Sequence, residues 1–182
     1  MNFLKIAGIS LFLMASMSSA MSSAHADTPM TDELTNQYFE NCLNGLQKDS
    51  TMTPNSKKAY CVCTSVNMKK SMTSEDLIAL SENKRSALNK VLLDVNGPCM
   101  QYPVRDMIQK KCMTDLKNDA MCSCLSQKVG EYTKQEVQKK LPKILADNPD
   151  VYDTMSPIVD SPEFQQATQQ MALSCATNPT QK

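Results

Sequence analysis

Apolar positions along this chain recur at helical rather than strand spacing. Leu34, Tyr38 and Cys42 fall at i, i+4 and i+8, with Phe39, Leu43 and Leu46 alongside, so a helix is predicted from a Thr31 cap through about Gln47. Thr53-Pro54 supplies a cap followed by proline at the first helical position, opening a helix that carries Cys61 and Cys63. Thr73 opens the next, which breaks near Ser81 and stops at Asn96-Gly97-Pro98. Pro103 begins a helix to about Lys117, with Met107, Ile108, Cys112 and Met113 inward, and Asp119 caps another from Ala120 to about Glu131. Thr133 begins a further helix that Pro142 ends or kinks. Ser161-Pro162-Glu163 opens the last, through Phe164, Ala167, Met171 and Cys175. No alternating run of β-branched and aromatic residues competes with these helices. The expected fold class is all-α.

The first 26 residues read differently. One base, Lys5, precedes an apolar run from Ile6 to Ala15, and a small, polar stretch ends in Ala24-His25-Ala26, an A-x-A cleavage pattern before Asp27. The run is about ten residues, short of the roughly 20 that a bilayer crossing needs. Residues 1–26 are therefore expected to be a cleaved signal peptide. No cysteine lies near the cleavage point, which argues against a lipid anchor. After Asp27 no apolar stretch approaches the length of a membrane span, so the mature chain is expected to be soluble. Its expected location is the periplasm or the medium outside the cell.

Export changes how the cysteines read. All eight (Cys42, Cys61, Cys63, Cys99, Cys112, Cys122, Cys124 and Cys175) survive cleavage, and an even number in an oxidising compartment implies structural disulfides first. They form a duplicated frame. Cys42, Cys61-Val62-Cys63 and Cys99 make one C…C-x-C…C; Cys112, Cys122-Ser123-Cys124 and Cys175 make the other. Behind each C-x-C comes a helix-start pattern, Thr73-Ser74-Glu75-Asp76-Leu77 and Thr133-Lys134-Gln135-Glu136-Val137. Glu136 matches the capping box, whereas Asp76 is a shorter acid that caps less well. The chain is expected to be a disulfide-stabilised helical bundle of two tandem helical-hairpin modules, residues 27–102 and 103–182, packed as one compact unit.

Geometry restricts the bolts. Residues i and i+2 of a helix point about 200° apart. Neither C-x-C pair can easily close on itself or share a partner. One member should reach the preceding helix and the other a later element; which does which stays open.

Composition then removes whole classes of chemistry. The only histidine, His25, goes with the leader, and with it go catalytic triads, Cys-His dyads, H-E-x-x-H zinc sites and imidazole proton shuttles. Past the leader, 18 bases face 19 acids, which gives no nucleic-acid binder's basic excess. Redox sites usually place C-x-x-C at a helix start, and here each C-x-C has external cysteines enough to consume it. Ten methionines past the leader raise Cu(I) chemistry, but only Met68 and Met72 form an obvious i, i+4 pair, and methionine also fills helical cores. No glycine-rich phosphate loop or G-x-S-x-G elbow occurs. No catalytic, cofactor or metal residue is assigned, and an enzyme is not expected.

Two readings remain. The leading one is an exported, non-enzymatic protein with a protein-interaction role, as adaptor, inhibitor or secreted effector. The alternative is a carrier of an apolar or lipid-like ligand in a Met- and Leu-lined bundle. Charge is uneven: residues 104–143 hold nine bases against five acids, and residues 144–182 one base against five acids. The acidic tail can cover the basic segment. Uncovered, that segment offers weak contact to an anionic surface.

Overall fold

The computed structural model describes residues 27–48 and 51–179, and the expected leader lies outside them. Helices dominate: α1 (Asp32–Leu46), α2 (Pro54–Ser71), α3 (Ser74–Ser81), α4 (Arg85–Lys90), α5 (Gln101–Leu116), α6 (Asp119–Asp147), α7 (Ser156–Val159) and α8 (Pro162–Thr177). A π-helical segment, Val91–Asn96, and a 3₁₀ turn, Gly97–Cys99, join α4 to α5. Among the described residues there is no strand, only an isolated antiparallel bridge between Pro29 and Thr73. The fold is all-α.

Side-chain caps start most of the long helices. Thr31, Thr53, Asn118 and Ser161 each accept from the backbone N–H three residues on, at Leu34, Ser56, Met121 and Phe164. The second of the two expected helix starts is absent. Thr133 lies inside α6, fully buried, and donates its hydroxyl to the Val129 carbonyl at 2.7 Å. Glu136 also caps nothing and pairs with Lys140 at 2.8 Å. Conversely Asp76, the weaker acid by sequence, completes the capping box of α3 with Thr73. Context explains the reversal. Thr73 follows Met72 in extended conformation and is held there by the bridge to Pro29, whereas nothing pulls the backbone out of the helix before Thr133.

Two further stop signals are overridden. Pro142 sits within α6, which continues to Asp147. Asn96-Gly97-Pro98 does not unwind the chain but passes it through π and 3₁₀ turns into α5. Gly97 is required here by space rather than by an unusual φ. A Cβ at this position would stand 2.9 Å from Val137 Cγ1 and 3.0 Å from the Leu92 carbonyl oxygen, so α6 crosses directly over it.

Packing divides between two apolar clusters. The larger joins α5, α6, α7 and α8 through Val104, Leu125, Val129, Leu141, Ile158 and Phe164. The smaller is built on methionine, with Met30, Met68, Met72 and Val95 buried and Leu34, Tyr38 and Leu77 against them. The π-helical segment serves both: Leu92 enters the larger cluster and Val95 the smaller. Its wider turn lets two near neighbours face different cores. The chain start is fastened too. Thr28 donates its N–H and hydroxyl to Glu75, both at 2.9 Å, and accepts from Ser74 N–H, which brings Met30 into the smaller cluster.

Two predictions follow from these contacts. An alanine in an ordinary helix gains about 1 kcal/mol over glycine, yet overpacking costs about 1–3 kcal/mol. With backbone as one of the crowded neighbours the clash should win. Gly97→Ala is expected to lower the urea midpoint without changing its slope. The second concerns acid. Burial raises the Asp76 carboxyl, but hydrogen bonds from Lys90 (2.5 Å) and from Thr73 outweigh it and hold the group below its ordinary 3.8. A carboxylate lowered in the folded state stabilises above its unfolded value, and that contribution fades as pH falls through the folded value. Asp76→Asn should therefore be less stable than the parent at about pH 6, and the difference should shrink below about pH 4 in denaturant titrations.

Candidate functional site

All eight cysteines are paired. The bonds are Cys42–Cys61, Cys63–Cys99, Cys112–Cys122 and Cys124–Cys175, and none is left free. In each C-x-C the first sulfur ties its helix back to the one before it, α2 to α1 and α6 to α5. The second sulfur ties it forward, to the 3₁₀ turn and to α8. Four disulfides fit an oxidising compartment. Among the described residues no helix is long and apolar enough to cross a membrane. Nor do any three His, Cys, Asp or Glu side chains there gather as metal donors would.

With Cys61 and Cys63 both turned into the fold, the residue between them is forced outward. Val62 is 45% exposed, and Val66, one turn further, 59%. Together with half-buried Phe39 of α1 they line a groove between α1 and α2 of about 580 Å³. Lys69 and Lys70 stand along it, and Lys69 also pairs with Asp32 across the two helices. The helix surfaces meet closely beneath because α2 buries small polar side chains there. Thr64 and Ser65 return their hydroxyls to the Cys61 carbonyl, at 3.2 and 2.7 Å. α1 itself buries no residue fully and leans chiefly on α2 through this contact and the Cys42–Cys61 bond.

A second groove, polar and about 450 Å³, lies where the first turn of α2 rests on α5 and α6. Asp106, buried in α5, accepts from Thr53 N–H at 2.6 Å and so seats the start of α2. Gln109 accepts from Ser126 at 2.9 Å across the same cleft. Arg105 and Gln127 line both this cleft and a smaller one of about 170 Å³ beside Gly130.

A tyrosine pair marks the back of the first hairpin. Burial, reinforced by Tyr38 and Asp153, pushes the Tyr60 hydroxyl up to about 12. Burial likewise raises Tyr38, which a hydrogen bond with Thr64 partly offsets. The chain between α6 and α7 passes near here and is fastened by Arg85, which donates to the Val151 carbonyl at 2.7 Å and lies over the Tyr152 ring.

The basic stretch of residues 104–143 is spread along α5 and α6. Lys111, Lys140 and Lys143 each pair one turn away with Asp115, Glu136 and Asp147. The hydrogen bond to Glu136 raises Lys140, to which Glu163 of α8 adds. Two acids of the tail, Asp147 and Glu163, thus stand beside the basic stretch. Composition gave no hint of either groove. The signal that points to the first is an apolar residue inside a C-x-C whose two cysteines face away from it.

No known protein family, curated protein or solved structure matches the chain. The seat of α2 can be tested directly. Asp106→Ala removes the acceptor of the Thr53 N–H, a part-buried bond on an exposed residue that water can partly replace, so the loss is about 0.5–1.5 kcal/mol. The variant is expected to unfold at correspondingly lower urea concentration.

Proposed function

We propose that this is an exported, non-enzymatic interaction protein whose partner docks in the groove between α1 and α2. The A-x-A pattern before Asp27 and the four disulfides support export. The carrying observation is the apolar groove itself: Phe39, Val62 and Val66 remain solvent-accessible on a disulfide-fixed hairpin, with two lysines beside them. Apolar positions spaced by one helical turn, flanked by cations, suit an amphipathic helix whose apolar side is bordered by acids.

The second half of the chain supports this reading by contrast. In the duplicated-hairpin reading, positions counted from the cysteines correspond. Phe39 then matches Gln109, Val62 matches Ser123, and Val66 matches Gln127. All three second-half residues line the polar cleft over which the chain lays the start of α2. One hairpin thus carries a polar groove bordered by its own chain, and the other an apolar groove left open. Shared pairing order in the two disulfide sets favours the same duplication, with modules at 27–102 and 103–182.

The test is affinity capture from an exported fraction of the source cell, comparing the parent with a Val62→Asp, Val66→Asp double variant. Both positions face solvent, where substitutions usually change stability by no more than about 0.5 kcal/mol. The parent should retain a protein partner, and the double variant should bind it at least about tenfold more weakly, a loss of about 1.4 kcal/mol. Equal binding by both would overturn the groove assignment. Recovery of no partner, with a bound apolar molecule seen by native mass spectrometry, would favour the carrier reading instead.

A further inference from the structure

The polar cleft of about 450 Å³ beside the first turn of α2 has no occupant in the docking proposal. Two of the residues that line it are buried and hold an oxygen that the fold leaves unused. Ser56 of α2 is 3% exposed; its N–H meets the Thr53 cap, but its hydroxyl bonds no described residue. The buried hydroxyls of Thr64, Ser65, Ser126 and Thr133 differ, each donating to a backbone carbonyl. Asp106 of α5 is 9% exposed; its Oδ2 accepts from Thr53 N–H, and its Oδ1 meets no described donor. Neither the Ser56 hydroxyl nor Asp106 Oδ1 is sealed from solvent. A ligand entering the cleft can therefore supply the hydrogen bonds that these two oxygens lack.

Charge decides which chemistry fits. The wall carries one base, Arg105, and one acid, Asp106. An anion would be repelled by the buried Asp106 carboxylate, and a cation by Arg105 and the positive end of α2. A neutral molecule meets neither objection. Among the described residues of the wall Ala59 alone is apolar, so an apolar body gains little there. Most of the remaining wall is amide and hydroxyl, with Asn55, Gln109 and Gln127 prominent. An amide holds an acceptor and two donors side by side, which suits ligand hydroxyls that both give and accept. Arg105, which bonds no described residue, adds further donors between this cleft and the smaller one beside Gly130.

Size agrees with a small molecule, since such sites span about 300–1,000 Å³. We infer that the cleft binds a neutral saccharide of one or two rings, with one hydroxyl donating to Asp106 Oδ1 and another bonding Ser56 Oγ. Sugar hydroxyls reproduce the hydrogen bonds that water makes at such oxygens, and one molecule brings several of them at once. The site is separate from the α1–α2 groove, so either can fail without the other.

The probes are glucose, galactose, mannose and trehalose, titrated into the intact oxidised protein and followed through the side-chain amide signals of Asn55, Gln109 and Gln127 by NMR. At least one sugar should shift these signals saturably. The amino and uronate forms of a monosaccharide that binds, cationic and anionic, should each bind at least about tenfold more weakly. Ser56→Ala removes the free hydroxyl and should weaken the sugar about three- to tenfold, the loss of one neutral hydrogen bond. Without sugar it should melt no lower than the parent, because that hydroxyl bonds nothing in the fold. Leu173→Ser, on the exposed side of α8, should leave the titration unchanged. Four results would each overturn the proposal: no saturable shift with any of the four sugars, a charged form or glycerol bound as tightly as the best sugar, undiminished binding by Ser56→Ala, or a Ser56→Ala variant markedly less stable than the parent.

Discussion

The rest of the structure depends on one angular fact. Two cysteines separated by a single residue on a helix point in nearly opposite directions, so a C-x-C cannot close on itself. It must bolt its helix to two different neighbours. α2 and α6 are the helices so placed, each tied backward to a hairpin partner and forward to a later element. Each bond contributes about 2–4 kcal/mol, in the usual account by restricting the unfolded chain. That contribution matters most for α1, which buries no side chain fully and would otherwise rest on a partial apolar face. The same angle decides what is left exposed. Between two sulfurs directed into the fold, Val62 has only solvent to face.

How far the sequence foretold this differs by feature. Cap starts at Thr31, Thr53 and Ser161, the last two with proline behind the cap, were legible because their signal is local: a hydroxyl, a bend and a donor three residues on. The expected start at Thr133 shares that local signal and still fails. Capping requires the preceding backbone to leave the helix, and at Thr73 a distant segment, Thr28 to Met30, supplies the pull. No such segment reaches Thr133, and its neighbours Val129 and Val137 gain full burial by staying helical. Here tertiary packing outweighs a cap worth about 1 kcal/mol. Proline at 142 illustrates the same ordering. The apolar run Val137, Leu141 and Leu145 is buried on both sides of it, so the helix continues despite the missing donor.

The grooves were not legible from composition, and the reason is geometric. Periodicity says which residues share a helix face, but not which face a neighbour later covers. In the second hairpin the cleft is bordered by the start of α2, a segment remote in sequence, and Asp106 is the residue that receives it. In the first hairpin no described segment lies over Phe39, Val62 and Val66 in that manner. The difference lies in residue chemistry as well as coverage. Amides and hydroxyls line the covered cleft, where they meet backbone donors and one another; valines and a phenylalanine line the open one.

Coverage and chemistry therefore agree, and the agreement bears on the proposed duplication. A polar cleft can be bordered by a helix start, because unpaired backbone N–H groups there need acceptors such as Asp106. An apolar groove offers those groups nothing and would leave them unsatisfied, so the chain has no reason to fold back over it. On the proposed duplication, exchange of Gln, Ser and Gln for Phe, Val and Val accompanies the release of one groove from internal packing. The surface released is apolar, rigidly held and bordered by cations. No described segment packs over its apolar side chains, and on the proposed reading a second helix with an acidic margin recognises them.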